Sequence, residues 1–121
     1  MSSRDQPNLL AMLDAIGQIE TYTDALGDAD ELYGNRMVFD ATLMNFIVLG
    51  EMAARISDGL KAQWPVLPWS DVKDFRNLVA HEYLGIDAEE VWQIIKQDIP
   101  ELKQGIAKVL SDFEQEDELD R

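Results

Sequence analysis

Apolar residues recur at three- and four-residue steps along nearly the whole chain, and no segment shows the period-two alternation of a half-buried strand. That pattern restricts the fold to packed helices. Leu9, Leu13, Ile16, Ile19 and Leu26 mark one face of a first helix, predicted from about Pro7 to Leu26. Pro7 suits the first turn, where its missing N–H has no partner to lose. Gly27-Asp28 ends the helix. The polar link Asp28–Asn35 has room for one helical turn around Glu31–Tyr33. A second helix is predicted from Arg36 to Gln63 on Val38, Ala41, Phe46, Ile47, Leu49, Ala53, Ile56 and Leu60. Between Leu43 and Leu49 its apolar set spreads round nearly the whole circumference. Such a helix must be covered on more than one side, by a central place in a bundle or by a dimer interface.

Trp64-Pro65 closes that helix, and Pro65-Val66-Leu67-Pro68 reads as an extended connector. Ser70 is the expected N-cap of a short third helix, Asp71 to about Glu82, with Asp71 in its favourable first turn. Gly85 breaks the chain. Asp87, with Glu90 three residues later, resembles a capping box opening a fourth helix. Val91, Ile95, Leu102, Ile106, Val109 and Phe113 keep one phase through Pro100, so a single kinked helix is expected. The fold class is all-α: one domain over residues 1–121, an antiparallel bundle of four main helices. The 121 residues can bury a core without staples.

Charge and composition narrow the function. The chain holds 24 acids and 10 bases, a net charge of −14. That excludes capture of nucleic acid by a broadly basic face, though not by a small basic spot. Residues 112–121, DFEQEDELDR, carry six acids and one base and read as a solvated, frayed tail. Cysteine is absent, which removes disulfides, thiolate metal sites and thiol nucleophiles and suits a reducing compartment. The N-terminus lacks the apolar core of a signal peptide. The most apolar stretch, Ala41–Met52, is short of the ~20 residues of a membrane span. The expected location is the cytoplasm, with no membrane partner. The single histidine means that chemistry needing two imidazoles must borrow one from another chain.

Polar functional side chains concentrate in Arg76-Asn77-Leu78-Val79-Ala80-His81-Glu82-Tyr83. On a helix Asn77 and His81 share one face, and Arg76 and Tyr83 share another. Arg76 and His81 stand about 140° apart round the axis. They meet on one ligand only if the helix distorts near His81 or a second molecule contributes. The residue types suit phosphodiester chemistry. A guanidinium fits phosphate oxygens, and an imidazole can take or give a proton near neutral pH. RNA brings its own nucleophile, the ribose 2′-OH, so no metal or other cofactor is called for. Cleavage then needs a base, an acid and a cation for the phosphorane charge. A symmetric dimer would supply two imidazoles and two guanidiniums. On spacing alone the cluster also fits an ordinary helix end with hydrogen-bonded polar groups.

The run from Arg76 to Tyr83 resembles the R-x-x-x-x-H-x-Y signature of the HepT-like toxins, a branch of the HEPN superfamily. Gly50-Glu51 followed by Ala53 is similar to that family's "IGEA", with Met52 in place of the usual first Ala. Trp64-Pro65 through Pro68-Trp69 resembles its "YP-x-x-PW" connector. Val91-Trp92 and Asp98-Ile99-Pro100-Glu101-Leu102 resemble its "VW…DLPEL" stretch, and Ile19 to Thr23 the end of its first helix. The resemblance covers essentially the whole chain.

The resemblance implies a helical homodimer with a composite, metal-independent endoribonuclease site at its interface. It implies the toxin of a toxin–antitoxin pair, with RNA, tRNA among the candidates, as substrate. Arg76 and His81 would be catalytic, and Asn77 would position His81 or the backbone. Tyr83 would receive AMP from a cognate antitoxin, a minimal nucleotidyltransferase of the MntA type, within a homodimer or larger assembly. AMP on Tyr83 would set a bulky anion beside Arg76 and His81. Glu51 reads as a helix-surface salt bridge that can reach toward the site. Trp64, Trp69 and Trp92 read as packing anchors, with Trp69, just before the motif helix, the one placed to line the cleft. The alternative is a non-catalytic helical dimer that binds a nucleotide or scaffolds a nucleotidyltransferase.

Overall fold

The computed structural model describes residues 4–119, and side chains to residue 115. Among the described residues every regular element is helical. The helices are α1 (Asp5–Thr23), α2 (Ala29–Gly34), α3 (Arg36–Ala54), α4 (Asp58–Gln63), α5 (Trp69–Glu82), α6 (Ala88–Gln93) and α7 (Ile99–Leu119). A 3-10 turn, Tyr83–Gly85, follows α5, and a π-helical turn, Ile94–Asp98, joins α6 to α7.

α3 is the centre of the bundle, packed against α1 on one side and α5 on the other. The central position covers part of its apolar girth, while Met44 and Val48 stay 58% and 36% exposed. Phe39, Leu43, Phe46, Leu49 and Ala53 are buried there. α3 is 19 residues long with a mean hydropathy of 1.4, so by length and composition it could cross a membrane, which its apolar stretch alone did not suggest. Cross-links between distant residues give the directions. Asp5, at the start of α1, binds Ser57, just past the end of α3. Glu20, near the end of α1, pairs with Lys103 in the second turn of α7 at 2.9 Å. Arg76 on α5 reaches back to Glu51, and Tyr83 reaches further back to Asp40. Neighbouring helices are therefore antiparallel, as the periodicity predicts.

The second helix is not continuous. Periodicity predicts Arg36 to Gln63, but the helix stops at Ala54 and restarts at Asp58. The cause is tertiary. Ser57 is extended, with φ −63° and ψ 150°, and its hydroxyl accepts from the Leu60 N–H as the cap of α4. Asp5 fixes it there, accepting from the Ser57 N–H at 2.8 Å and from its hydroxyl at 2.6 Å. Ile56 and Leu60 stay buried across the break, so the apolar phase survives.

The third helix begins at Trp69, and Ser70 is not its cap. The Trp69 indole N–H donates to the Trp64 carbonyl at 3.0 Å, which draws the ring into the core and the residue into the first turn. The helical ladder starts from the Pro68 carbonyl, which accepts from the Val72 N–H at 3.1 Å. α6 opens on Asp87 as expected, its carboxylate accepting from the Glu89 N–H at 2.9 Å. The expected kink at Pro100 takes the form of the π turn. Ile99 N–H bonds to the Ile94 carbonyl, five residues back, so the ladder widens just before the residue that cannot donate. The tail expected to fray falls largely on residues whose side chains lie outside the description.

Candidate active site

Gly50 decides how the motif helix docks. A methyl group on Gly50 would lie 2.2 Å from Arg76 Cβ and 3.2 Å from the Val72 carbonyl oxygen. Only a residue without a side chain lets α5 approach α3 this closely. Next to this contact, Phe75 packs edge-on against Phe46, ring centroids 4.9 Å apart.

Arg76 therefore lies along the α3–α5 seam, with its side chain 21% exposed. Its Nη1 donates to Glu51 Oε1. Its Nε is buried with no acceptor among the described residues, and Nη2 makes no hydrogen bond among them. The reading of Glu51 as a surface bridge is thus refined: the bridge it forms is with Arg76.

Tyr83, on the 3-10 turn, points to the same helix. Its hydroxyl donates to Asp40 Oδ1 at 2.6 Å. Arg36 Nε lies 3.3 Å from the same carboxylate oxygen. The Tyr83 hydroxyl, and then the Asp40 carboxylate, raise the Arg36 guanidinium above its ordinary pKa. These side chains and Tyr33 line a small cavity of about 250 Å³. Arg76 and Tyr83 thus share a face of the motif segment, as their spacing predicts. Their partners Glu51 and Asp40 share a face of α3, three turns and roughly 16 Å apart.

His81 stands elsewhere. α5 is regular α-helix through Glu82, so the distortion begins only after His81. The imidazole is exposed, about 140° round the axis from Arg76, and makes no hydrogen bond among the described residues. Asn77 is half-buried one turn before it and makes no hydrogen bond to it among the described residues. Lys73 is exposed, without an ion pair among the described residues. Within one chain the Glu51 carboxylate offsets the charge of Arg76. The described residues hold no cluster of three or more His, Asp or Glu placed to share a metal ion.

The tryptophans divide. Trp69 is buried, its indole N–H bonded to the Trp64 carbonyl, as a packing anchor is. Trp92 is buried, with Lys96 Nζ 4.5 Å from its ring centre, a cation–π contact. Trp64 borders a separate apolar groove of about 570 Å³ between the connector, α5 and α7. Asp40 and Arg36 were not among the expected site residues. Two signals could have found them: the (i, i+4) pair Arg36–Asp40, and the three-turn spacing from Asp40 to Glu51.

An all-helical bundle that carries Arg76, Asn77 and His81 on α5 and Tyr83 on the turn after it is consistent with a HEPN-type domain. The family model described as "Ribonuclease HepT-like" matches residues 12–109. The chain belongs to the HepT-like ribonuclease family. It is 31% identical over 90 residues to "Probable ribonuclease HepT" of Thermococcus cleftensis, covering 74% of this chain and 81% of that one. It is 29% identical over 107 residues to "Putative RNase MJ1380" of Methanocaldococcus jannaschii, covering 88% and 97%. A two-part protein of the same archaeon, "Gamma-glutamylcyclotransferase and putative RNase MJ0434", is 25% identical over 103 residues, 46% of its length. No solved structure gives a significant match.

Proposed function

We propose that this chain is a metal-independent endoribonuclease whose site is completed by a second copy, and that it is the toxin of a toxin–antitoxin pair in the cytoplasm. The observation that carries the composite site is the regular α5. It holds His81 and Arg76 about 140° apart, so one chain cannot turn both toward one phosphate. A dimer brings one chain's His81 to the other chain's Arg76. Met37, Met44 and Val48 leave apolar surface on α3 for such a partner, 84%, 58% and 36% exposed.

In this reading one imidazole takes the proton of the ribose 2′-OH, and that oxygen attacks the adjacent phosphorus. The partner's His81 gives a proton to the departing 5′-oxygen. Arg76 stabilises the charge on the phosphorane. The products are a 2′,3′-cyclic phosphate and a 5′-hydroxyl. Family membership and the relatives' names support the ribonuclease. The side chain of Tyr83, a residue 39% exposed, supports a site for AMP transfer by an MntA-type nucleotidyltransferase.

The test is cleavage of RNA by purified protein in excess chelator. Wild type cleaves, and Arg76→Ala and His81→Ala do not while remaining folded dimers. Retained cleavage by His81→Ala sinks the proposal. One observation favours a non-catalytic helical dimer instead, the pairing of Arg76 with Glu51. Growth arrest on expression, lost with Arg76→Ala, excludes that alternative.

A further inference from the structure

Glu51 lies outside the motif, yet it holds the motif's arginine. Resting on Arg76 as the cation that meets the RNA phosphate, we infer that Glu51 is a positioning residue: it pins Nη1 so that Nη2 is the nitrogen offered to substrate. Three features of the seam fix this aim. Nη1 donates to Glu51 Oε1. Nε is buried and without an acceptor among the described residues, so it is closed to a phosphate oxygen. The stem is wedged against Gly50, where a single methyl group would collide with Cβ and with Cγ at 2.6 Å. What remains is Nη2, which makes no hydrogen bond among the described residues. A free arginine has many rotamers, and this one has been narrowed to a single open edge. Glu51 is itself 43% exposed, so its side chain stays in contact with water.

The arrangement has two opposed effects. The acceptor oxygen of Glu51 organises Arg76. Its negative charge weakens the attraction of Arg76 for phosphate. The two effects separate by substitution. Glu51→Gln keeps an acceptor and removes the charge. Glu51→Ala removes both.

Steady-state cleavage of a single-stranded RNA oligonucleotide, at several salt concentrations and with folding checked by circular dichroism, reads both effects. Glu51→Ala lowers kcat by roughly 10–100-fold, the scale of a misplaced catalytic group. Glu51→Gln recovers most of that kcat and lowers KM by about 3–10-fold, with a steeper salt dependence. Wild-type kcat in Glu51→Ala overturns the inference, and so does a Glu51→Gln enzyme as slow as Glu51→Ala. If Glu51→Ala does not fold, Glu51→Gln decides alone: an unchanged KM and salt dependence overturn the inference. A second arm needs no activity. The Arg76 Nε–H resonance in NMR exchanges slowly with water in wild type and Glu51→Gln, and quickly in Glu51→Ala. If wild type cleaves no RNA, the ribonuclease reading fails while this arm still decides the role of Glu51. Slow exchange persisting in Glu51→Ala then overturns it.

Discussion

Replacing Gly50 with alanine tests how the motif helix is seated. The new methyl carbon would lie 2.2 Å from Arg76 Cβ, 2.6 Å from Arg76 Cγ and 3.2 Å from the Val72 carbonyl oxygen. Two of these atoms are the root of a side chain and the third is backbone, so none can swing aside. Relief requires α5 to move away from α3. Overpacking costs ~1–3 kcal/mol, and this contact belongs at the top of that range. Alanine returns about 1 kcal/mol through helix propensity. The net loss is about 2 kcal/mol, or roughly 6–12 °C in Tm for a domain of this size. The same shift draws Arg76 from Glu51, so cleavage at low temperature falls about 10²-fold, beyond what unfolding accounts for. Thermal melts by circular dichroism, with RNA cleavage well below both midpoints, read the two effects. Gly17→Ala is the control: nothing lies within 4 Å of its added carbon, and it stabilises α1 by ~0.5–1 kcal/mol. A Gly50→Ala protein that melts at or above wild type and cleaves normally refutes the close-approach argument.

Other changes follow from the same contacts. Asp5→Ala strips two hydrogen bonds from Ser57 and unpins α1 from the α3–α4 break; urea denaturation should show a loss of about 2–3 kcal/mol. Gly105→Ala brings a carbon to 2.1 Å from Leu67 Cδ2, the tip of a flexible side chain; it is milder than Gly50→Ala, within about 1 kcal/mol by the same titration. Tyr83→Phe removes the donor to Asp40 at an exposed site, lowers stability by less than about 1 kcal/mol, and abolishes the mass gain of AMP on co-expression with a cognate nucleotidyltransferase. Intact-mass spectrometry settles that outcome, and AMP found on the Tyr83→Phe protein contradicts the assignment.

The helices were legible because burial imposes a period that the sequence displays. Leu9, Ile16 and Ile19 announce α1, and the stripe from Val91 to Val109 holds its phase through Pro100. Contacts between distant segments leave no such trace. Near Arg55 only Ser57, a cap by its chemistry, hints at the break, and what fixes it is Asp5, 52 residues before Ser57. Ser70 has the chemistry of a cap, yet the indole of Trp69 has the stronger claim on the first turn. At the site, the spacing of Arg76 and Tyr83 correctly placed them on one face. That face meets α3, so their partners there, Glu51 and Asp40, were hidden from a reading of the motif alone. The acidic composition gains a local meaning too: each motif residue facing α3 is held by a carboxylate.

The central claim, one imidazole per chain and two per site, is tested most directly by mixed dimers. Wild-type and His81→Ala chains are combined in varied ratios, allowed to exchange, and assayed for RNA cleavage in excess chelator. If each site draws His81 from both chains, activity follows the square of the wild-type fraction, so about a quarter survives at equal parts. Activity falling in simple proportion, with about half surviving, would mean that a single imidazole serves each site and would contradict the account.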